Sequence, residues 1–302
     1  MSRDGRRLGL RRNWRGNVSS VVPEKVGVVG GGRMGAGIAQ VFAATGAKVS
    51  VVEGDTASAD AAFERIRSGL NRAAERGKLD VPVEEVLARV EIITDPESLP
   101  GDAGLVVEAV PERADVKVAV LTAVERVVGQ DTVLATNTSS LSIAELAAAL
   151  SRPQRFLGMH FFNPVPASRL VEVVTGPETA EGAREDVLGW VGALGKTAVT
   201  VRDSPGFATS RLGVLLGLEA IRMLEEGVAD AESIDTAMEL GYRHPMGPLR
   251  STDLVGLDVR LAIAEYLHRT LGERFAPPRL LRDKVGRGEL GRKTGQGFHR
   301  WE

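Results

Sequence analysis

Between Lys25 and about Val201, short β-branched and aliphatic runs alternate with segments whose apolar positions recur every three to four residues. That alternation is the rhythm of βαβ units, in which each strand is followed by a helix that covers the sheet. Strands are predicted at 26–30 (VGVVG), 48–53 (KVSVVE), 90–93 (VEII), 105–110 (LVVEAV), 132–137 (TVLATN), 155–161 (RFLGMHF), 170–174 (LVEVV) and 197–201 (TAVTV). Their near-continuous hydrophobicity predicts a sheet buried on both faces. After Asp203 the rhythm stops. Ser204 as N-cap with Pro205 at the first helical position predicts a helix running to Gly227, and further helices are expected at 230–240, 251–271 and 277–286. The expected fold is α/β: a Rossmann-like, mostly parallel sheet over residues 23–202, followed by an all-α domain over 203–302.

Residues 1–22 break the pattern, being Arg-rich and without an apolar segment of signal-peptide length. They read as a disordered tail; Gly5, Gly9 and Gly16 argue against the amphipathic helix of a mitochondrial targeting segment. The 302 residues include no cysteine, so disulfides and thiolate chemistry are excluded, and the composition suits a reducing compartment such as the cytoplasm. Redox chemistry here requires a cofactor. A net charge of −2 supplies no basic excess for nucleic acid, and no apolar run approaches the roughly 20 residues that span a bilayer.

The segment VGVVGGGRMGAG places Gly30, Gly32 and Gly35 in G-x-G-x-x-G spacing, directly after a strand and at the start of a helical pattern. Glycines permit the tight turn, let the backbone approach a pyrophosphate and let helix pack on strand, while the helix N-terminus offers free N–H groups. The second strand ends in Glu53, whose carboxylate suits a ribose hydroxyl and repels a 2′-phosphate, and no Arg follows it closely. NAD is therefore the expected cofactor.

His160 ends one predicted strand, and Glu172 lies inside the apolar run LVEVV, where an unpaired carboxylate is costly. If the turn NPVPASR sets the two strands side by side, Glu172 faces His160, orients its ring and stabilises its protonated form. On the residues alone, a satisfied core histidine stands beside the catalytic alternative. In ATNTSSLSIAEL, Ser142 is explained as the start of a capping box with Glu145, which leaves Ser139 and Ser140 as candidate substrate-binding hydroxyls.

These segments, with VVEAVPERADVK, DSPGF, HPMGPLRSTDLVGLD and LGRKTGQGF, resemble the L-3-hydroxyacyl-CoA dehydrogenases, in particular the short-chain 3-hydroxybutyryl-CoA type, over about residues 25–302. The resemblance implies NAD-dependent oxidation of an acyl-CoA substrate by a homodimer, with the helical domain serving substrate binding and dimerisation. It implies that His160 is the catalytic base, Glu172 its carboxylate partner and Ser139 the hydroxyl near the reacting oxygen. Gly30, Gly32, Arg33, Met34 and Gly35 match the cofactor turn, Glu53 the adenosine ribose site, and Glu112, Lys117, Asn163 and Lys293 the nicotinamide surroundings. Without the resemblance, Glu112 and Lys117 read equally as a solvated helix start.

One position departs from the family pattern: Ser210 stands where the family more often has Asn in its catalytic group, and a hydroxyl lacks the amide's second donor. Along AAFERIRSGLNRAAERGK, Arg65, Arg72 and Arg76 share a face opposite the apolar one. The family's CoA contacts there correspond to Gly69 and Arg76, of which only Arg76 carries a suitable group; a solvated face explains the stripe equally well.

Competing possibilities are the β-hydroxyacid dehydrogenases, which need a helical-domain lysine absent between Lys196 and Lys284, and the L-gulonate dehydrogenase and lambda-crystallin branch. A third is an NAD-binding homologue that has lost turnover. An unused buried His160–Glu172 pair would be a liability for such a protein.

Overall fold

A computed structural model describes residues 21–302; most of the Arg-rich segment lies outside the described residues. The chain builds one eight-stranded sheet with helices on both faces, and then a helical layer. Strand β1 (Lys25–Val29), helix α1 (Arg33–Ala44) and strand β2 (Lys48–Val52) form the first βαβ unit. Helices α2 (Thr56–Glu75) and α3 (Val83–Leu87) lead to β3 (Val90–Ile93). Next come β4 (Leu105–Glu108), α4 (Ala114–Val127), β5 (Val133–Thr136), α5 (Ile143–Ala147) and β6 (Phe156–Phe161). Strand β7 (Leu170–Thr175), α6 (Glu181–Ala193) and β8 (Thr197–Arg202) complete the sheet.

The strand order is β3-β2-β1-β4-β5-β6-β7-β8, every pair parallel except β6 with β7. All eight predicted strands are present, each within two residues of its expected ends. The chain's progress across the sheet reverses between β1 and β4, and ligands of open parallel sheets bind at such a switch, beyond the strand C-termini. Two apolar clusters flank the sheet. One packs Ile38, Phe42, Ile66 and Leu70 of α1 and α2 on β1 and β2; the other packs Leu121 and Val124 of α4 with Leu146 of α5 on the opposite face. Each fully buried side chain of this size contributes about 1.5–3 kcal/mol. Val22, expected in the N-terminal tail, is 6% exposed and belongs to the first cluster, so order begins before that boundary.

The helical layer consists of α7 (Thr209–Glu225), α8 (Ala231–Tyr242), α9 (Pro248–Val255), α10 (Leu257–Leu271) and α11 (Arg279–Gly286), packed around Val214, Leu218, Ile221, Leu249, Leu267 and Phe275. Two expectations are corrected here. The first helix begins at Thr209, because Gly206 and Phe207 take φ of 75° and 51°, outside the helical region, and Ser204 does not cap it. The helix expected at 251–271 is two helices broken at Gly256, whose φ of 107° is open to glycine alone without strain.

Candidate active site

The glycine turn after β1 divides its work among three positions. Gly30 has φ 93°, and a Cβ there would meet the Ala109 carbonyl oxygen at 2.9 Å. At Gly35 a Cβ would lie 1.7 Å from the Gly30 oxygen, so no side chain fits. Gly32 has no protein atom within 4 Å of that point; the space above the α1 N-terminus is clear for a ligand backbone to approach. Arg33 and Met34, the first residues of α1, border this opening. These features fit a dinucleotide pyrophosphate.

Glu53 follows β2 and accepts a 2.6 Å hydrogen bond from the Gly31 N–H, which fixes the carboxylate against the glycine turn. Between the first half of α2 and the C-terminal end of β3 lies a groove of about 670 Å³ lined by Thr56, Phe63, Ile93 and Asp95 among others. The arginine face of α2 does not act as one surface: Arg65 reaches the Gly31 carbonyl, Arg72 bonds Ser68, and Arg76 caps α2 in solvent. Gly69 serves packing, since a Cβ there would lie 2.3 Å from Gln40 Oε1 of α1.

Glu112 and Lys117 take different roles. Lys117 is completely buried, and its ammonium bonds both oxygens of the equally buried Glu108 at 2.7 and 2.9 Å and the Val110 carbonyl at 3.4 Å. It also lies 3.3 Å from Glu112 Oε2. Glu108 further accepts from Thr136 and the Val110 N–H. Lys117 is thus a buried strut that ties Glu108 of β4 to Glu112. Glu112 Oε1 receives the Thr138 hydroxyl, the Ser139 and Ser140 N–H groups and the Ser140 hydroxyl. This separates the two candidate serines: Ser140 spends its hydroxyl on Glu112, whereas the Ser139 hydroxyl, just beyond β5, has no partner among the described residues.

Ser142 caps α5 as predicted, accepting from the Glu145 N–H. Asp203 stands at the same helix end, taking the Ser142 hydroxyl and the Ala144 N–H.

His160 and Glu172 are register partners across the antiparallel β6–β7 pair. Nδ1 lies 2.8 Å from Glu172 Oε2. With Glu172 accepting the Nδ1 proton, the neutral ring carries its lone pair on Nε2, which has no partner among the described residues and is not sealed from solvent. Phe162 and Phe207 wall the ring, with centroids 4.4 and 5.9 Å away. Glu172 is fully buried and saturated: Oε1 takes the Ala208 and Thr209 N–H groups at 3.1 and 2.9 Å, and Oε2 takes the Thr209 hydroxyl at 2.7 Å. Burial pushes its carboxyl up, but the bonds from His160 and from the Thr209 hydroxyl and N–H outweigh burial and hold it below the ordinary glutamate value. The helix expected to be capped by Ser204 is instead capped by a carboxylate from the sheet.

Ser210 sits in the first turn of α7, and its hydroxyl has no partner among the described residues. Asn163 is exposed on the turn after His160, which docks on α1: a Cβ on Gly37 would press Val165 at 2.9 Å. Lys196 holds that turn through the Val165 and Ser168 carbonyls. Lys293 pairs at 2.6 Å with Asp258 beside the Gly256 elbow, within the helical layer. The contacts missed from sequence are Glu108, Thr138, Asp203 and Thr209. Only Glu108, a carboxylate within an apolar strand, left a signal there.

The family model for the 3-hydroxyacyl-CoA dehydrogenase NAD binding domain matches residues 25–204, and that for its C-terminal domain matches residues 206–301. A 3-hydroxybutyryl-CoA dehydrogenase of Mycobacterium tuberculosis is 44% identical over 282 residues, covering 91% of this chain and 98% of the relative. The human mitochondrial hydroxyacyl-coenzyme A dehydrogenase is 38% identical over 294 residues, with 95% and 94% covered. The crystal structure of (S)-3-hydroxybutyryl-CoA dehydrogenase from Ralstonia eutropha superposes with a TM-score of 0.88 at 40% identity, over 93% of this chain and 99% of that one. With both family models matched end to end on a glycine turn built for a dinucleotide, the chain belongs to the NAD-dependent 3-hydroxyacyl-CoA dehydrogenase family.

Proposed function

We propose that the chain oxidises short-chain L-3-hydroxyacyl-CoA esters, 3-hydroxybutyryl-CoA foremost, reversibly to 3-ketoacyl-CoA. The observation that carries this is the His160 ring, tied to Glu172 through Nδ1 and open at Nε2, at the same C-terminal end of the sheet as the glycine turn and Ser139. NAD bound at that turn supplies the hydride acceptor for C3. His160 Nε2 takes the proton of the C3 hydroxyl, and Glu172 stabilises the imidazolium that results. The Ser139 hydroxyl holds the reacting oxygen, with Ser210 as a second donor. Glu112, supported by Lys117, keeps the Ser139 loop in place, while Asn163 and Lys293 border the nicotinamide side. In the reverse direction the imidazolium returns its proton to the ketone oxygen as hydride arrives.

In this assignment residues 23–202 hold the cofactor, residues 203–302 supply the substrate and dimer surfaces, and Arg76 contributes to CoA binding. A homodimer is supported by Leu212, Leu240 and Tyr242, which are 67%, 78% and 75% exposed on the helical layer. Light scattering at micromolar concentration is expected to give twice the chain mass. The absence of cysteine supports a cytoplasmic, reducing location.

The test is NADH oxidation with acetoacetyl-CoA, run beside L-gulonate plus NAD. Turnover with acetoacetyl-CoA alone is expected, and His160→Ala is expected to lower it about 10²- to 10⁴-fold with NADH affinity nearly intact. Turnover of L-gulonate alone, or a His160→Ala variant at full rate, would overturn the assignment.

A further inference from the structure

The Glu172 carboxylate receives four hydrogen bonds, and three come from the two residues at the start of α7. Two of these three are backbone N–H donors that any residue would supply. The third is the hydroxyl of Thr209, 2.7 Å from Oε2, the same oxygen that holds His160 Nδ1 at 2.8 Å. One oxygen therefore divides its charge between a threonine and the histidine ring.

We propose that Thr209 is a positioning residue for the dyad: its hydroxyl fixes the rotation of the Glu172 carboxylate and limits how strongly that carboxylate holds His160. With both lone-pair directions of Oε2 occupied, the carboxylate plane cannot turn without losing a bond in the protein interior. The ring is fixed in turn through Nδ1, and the direction of Nε2 with it. This inference rests on the His160–Glu172 assignment above and extends it to a residue of the helical layer. Domain placement and proton transfer meet at that contact, because α7 begins where Glu172 ends.

Among the described residues, His160 is the one ionisable side chain bonded to Glu172. Asp203 is bonded to Ser142 and Ala144, Arg211 reaches Ser204, and Lys196 holds the backbone carbonyls of the β6–β7 turn. Val199, its register neighbour on β8, is apolar. Removal of the Thr209 hydroxyl thus leaves Oε2 with the His160 Nδ1 bond alone and takes away one of the bonds that hold the Glu172 carboxyl down.

The variant is Thr209→Val, which keeps shape, β-branching and both backbone donors, with Thr209→Ser as the conservative control. The chain has four histidines, so the His160 ring can be followed by NMR in the NADH-bound enzyme, assigned with His160→Ala. Thr209→Val is expected to displace the His160 ring signals and their pH profile from those of the parent, because the bond network on Oε2 has changed. It is expected to lower kcat about tenfold while KM for acetoacetyl-CoA and NADH changes less than about twofold. Thr209→Ser should recover most of the rate and the original titration. Unchanged titration and kcat in Thr209→Val, or a loss in Thr209→Ser equal to that in Thr209→Val, overturns the inference. If His160→Ala also turns over at full rate, the dyad assignment itself has failed; if His160→Ala is inactive, only the role of Thr209 has.

Discussion

Lys117→Met tests whether the buried strut is electrostatic. In the folded chain the Lys117 and Glu108 side chains are each 1% exposed and exchange bonds of 2.7 and 2.9 Å. Removing the ammonium leaves Glu108 charged in the interior with only the Thr136 hydroxyl and the Val110 N–H to solvate it. Breaking a buried pair in this way costs about 3–5 kcal/mol, because the surviving charge has lost its compensation. A domain of this size should then melt on the order of 6–10 °C lower. The second change, Glu108→Gln, removes the stranded charge while keeping an oxygen for Val110 and an amide for Thr136. The double variant is expected to recover to within about 1 kcal/mol of the parent. Urea unfolding followed by circular dichroism on all four members of the cycle measures both quantities. Equal losses in the single and double variants would show that Lys117 acts through packing, and the electrostatic account would be wrong.

The glycine turn and the dyad give further expectations. Gly32→Ala should fold normally, because nothing lies within 4 Å of the new methyl, yet weaken NADH binding by fluorescence titration; Gly35→Ala, at 1.7 Å from the Gly30 oxygen, should destabilise the fold itself. Glu172, held below the ordinary value of 4.5, contributes stability that is complete above that pH and is lost as pH falls through its lower folded value. Melting temperature against pH should therefore decline more gently over that acid range in Glu172→Gln than in the parent. A parallel decline in both would assign the acid limb to other carboxylates.

Much of the site was legible because its signals are local. Gly30, Gly32 and Gly35 follow a strand at fixed spacing, and the period-two pattern of β6 and β7 places His160 and Glu172 on one face once the intervening turn makes them neighbours. The helix ends were less legible. Ser204-Pro205 is a sound local start signal, but Gly206 and Phe207 adopt positive φ so that the chain can deliver Thr209 to Glu172. At Gly256 an apolar period runs through 251–271 without interruption, and only the backbone conformation shows the break.

By itself the sequence determined the alternation of strands and helices and the glycine turn after the first strand, and it made His160 and Glu172 candidates for a pair that the β6–β7 register then brought together. Tertiary structure decided which serine spends its hydroxyl on Glu112, that Lys117 is a buried strut, and that α7 is capped from the sheet by Glu172. The physical reason is the range of the interactions. Periodicity, glycine turns and cross-strand register are set by a few neighbouring residues, whereas the donors filling a buried carboxylate come from wherever the fold brings them, here 36 and 37 residues along the chain.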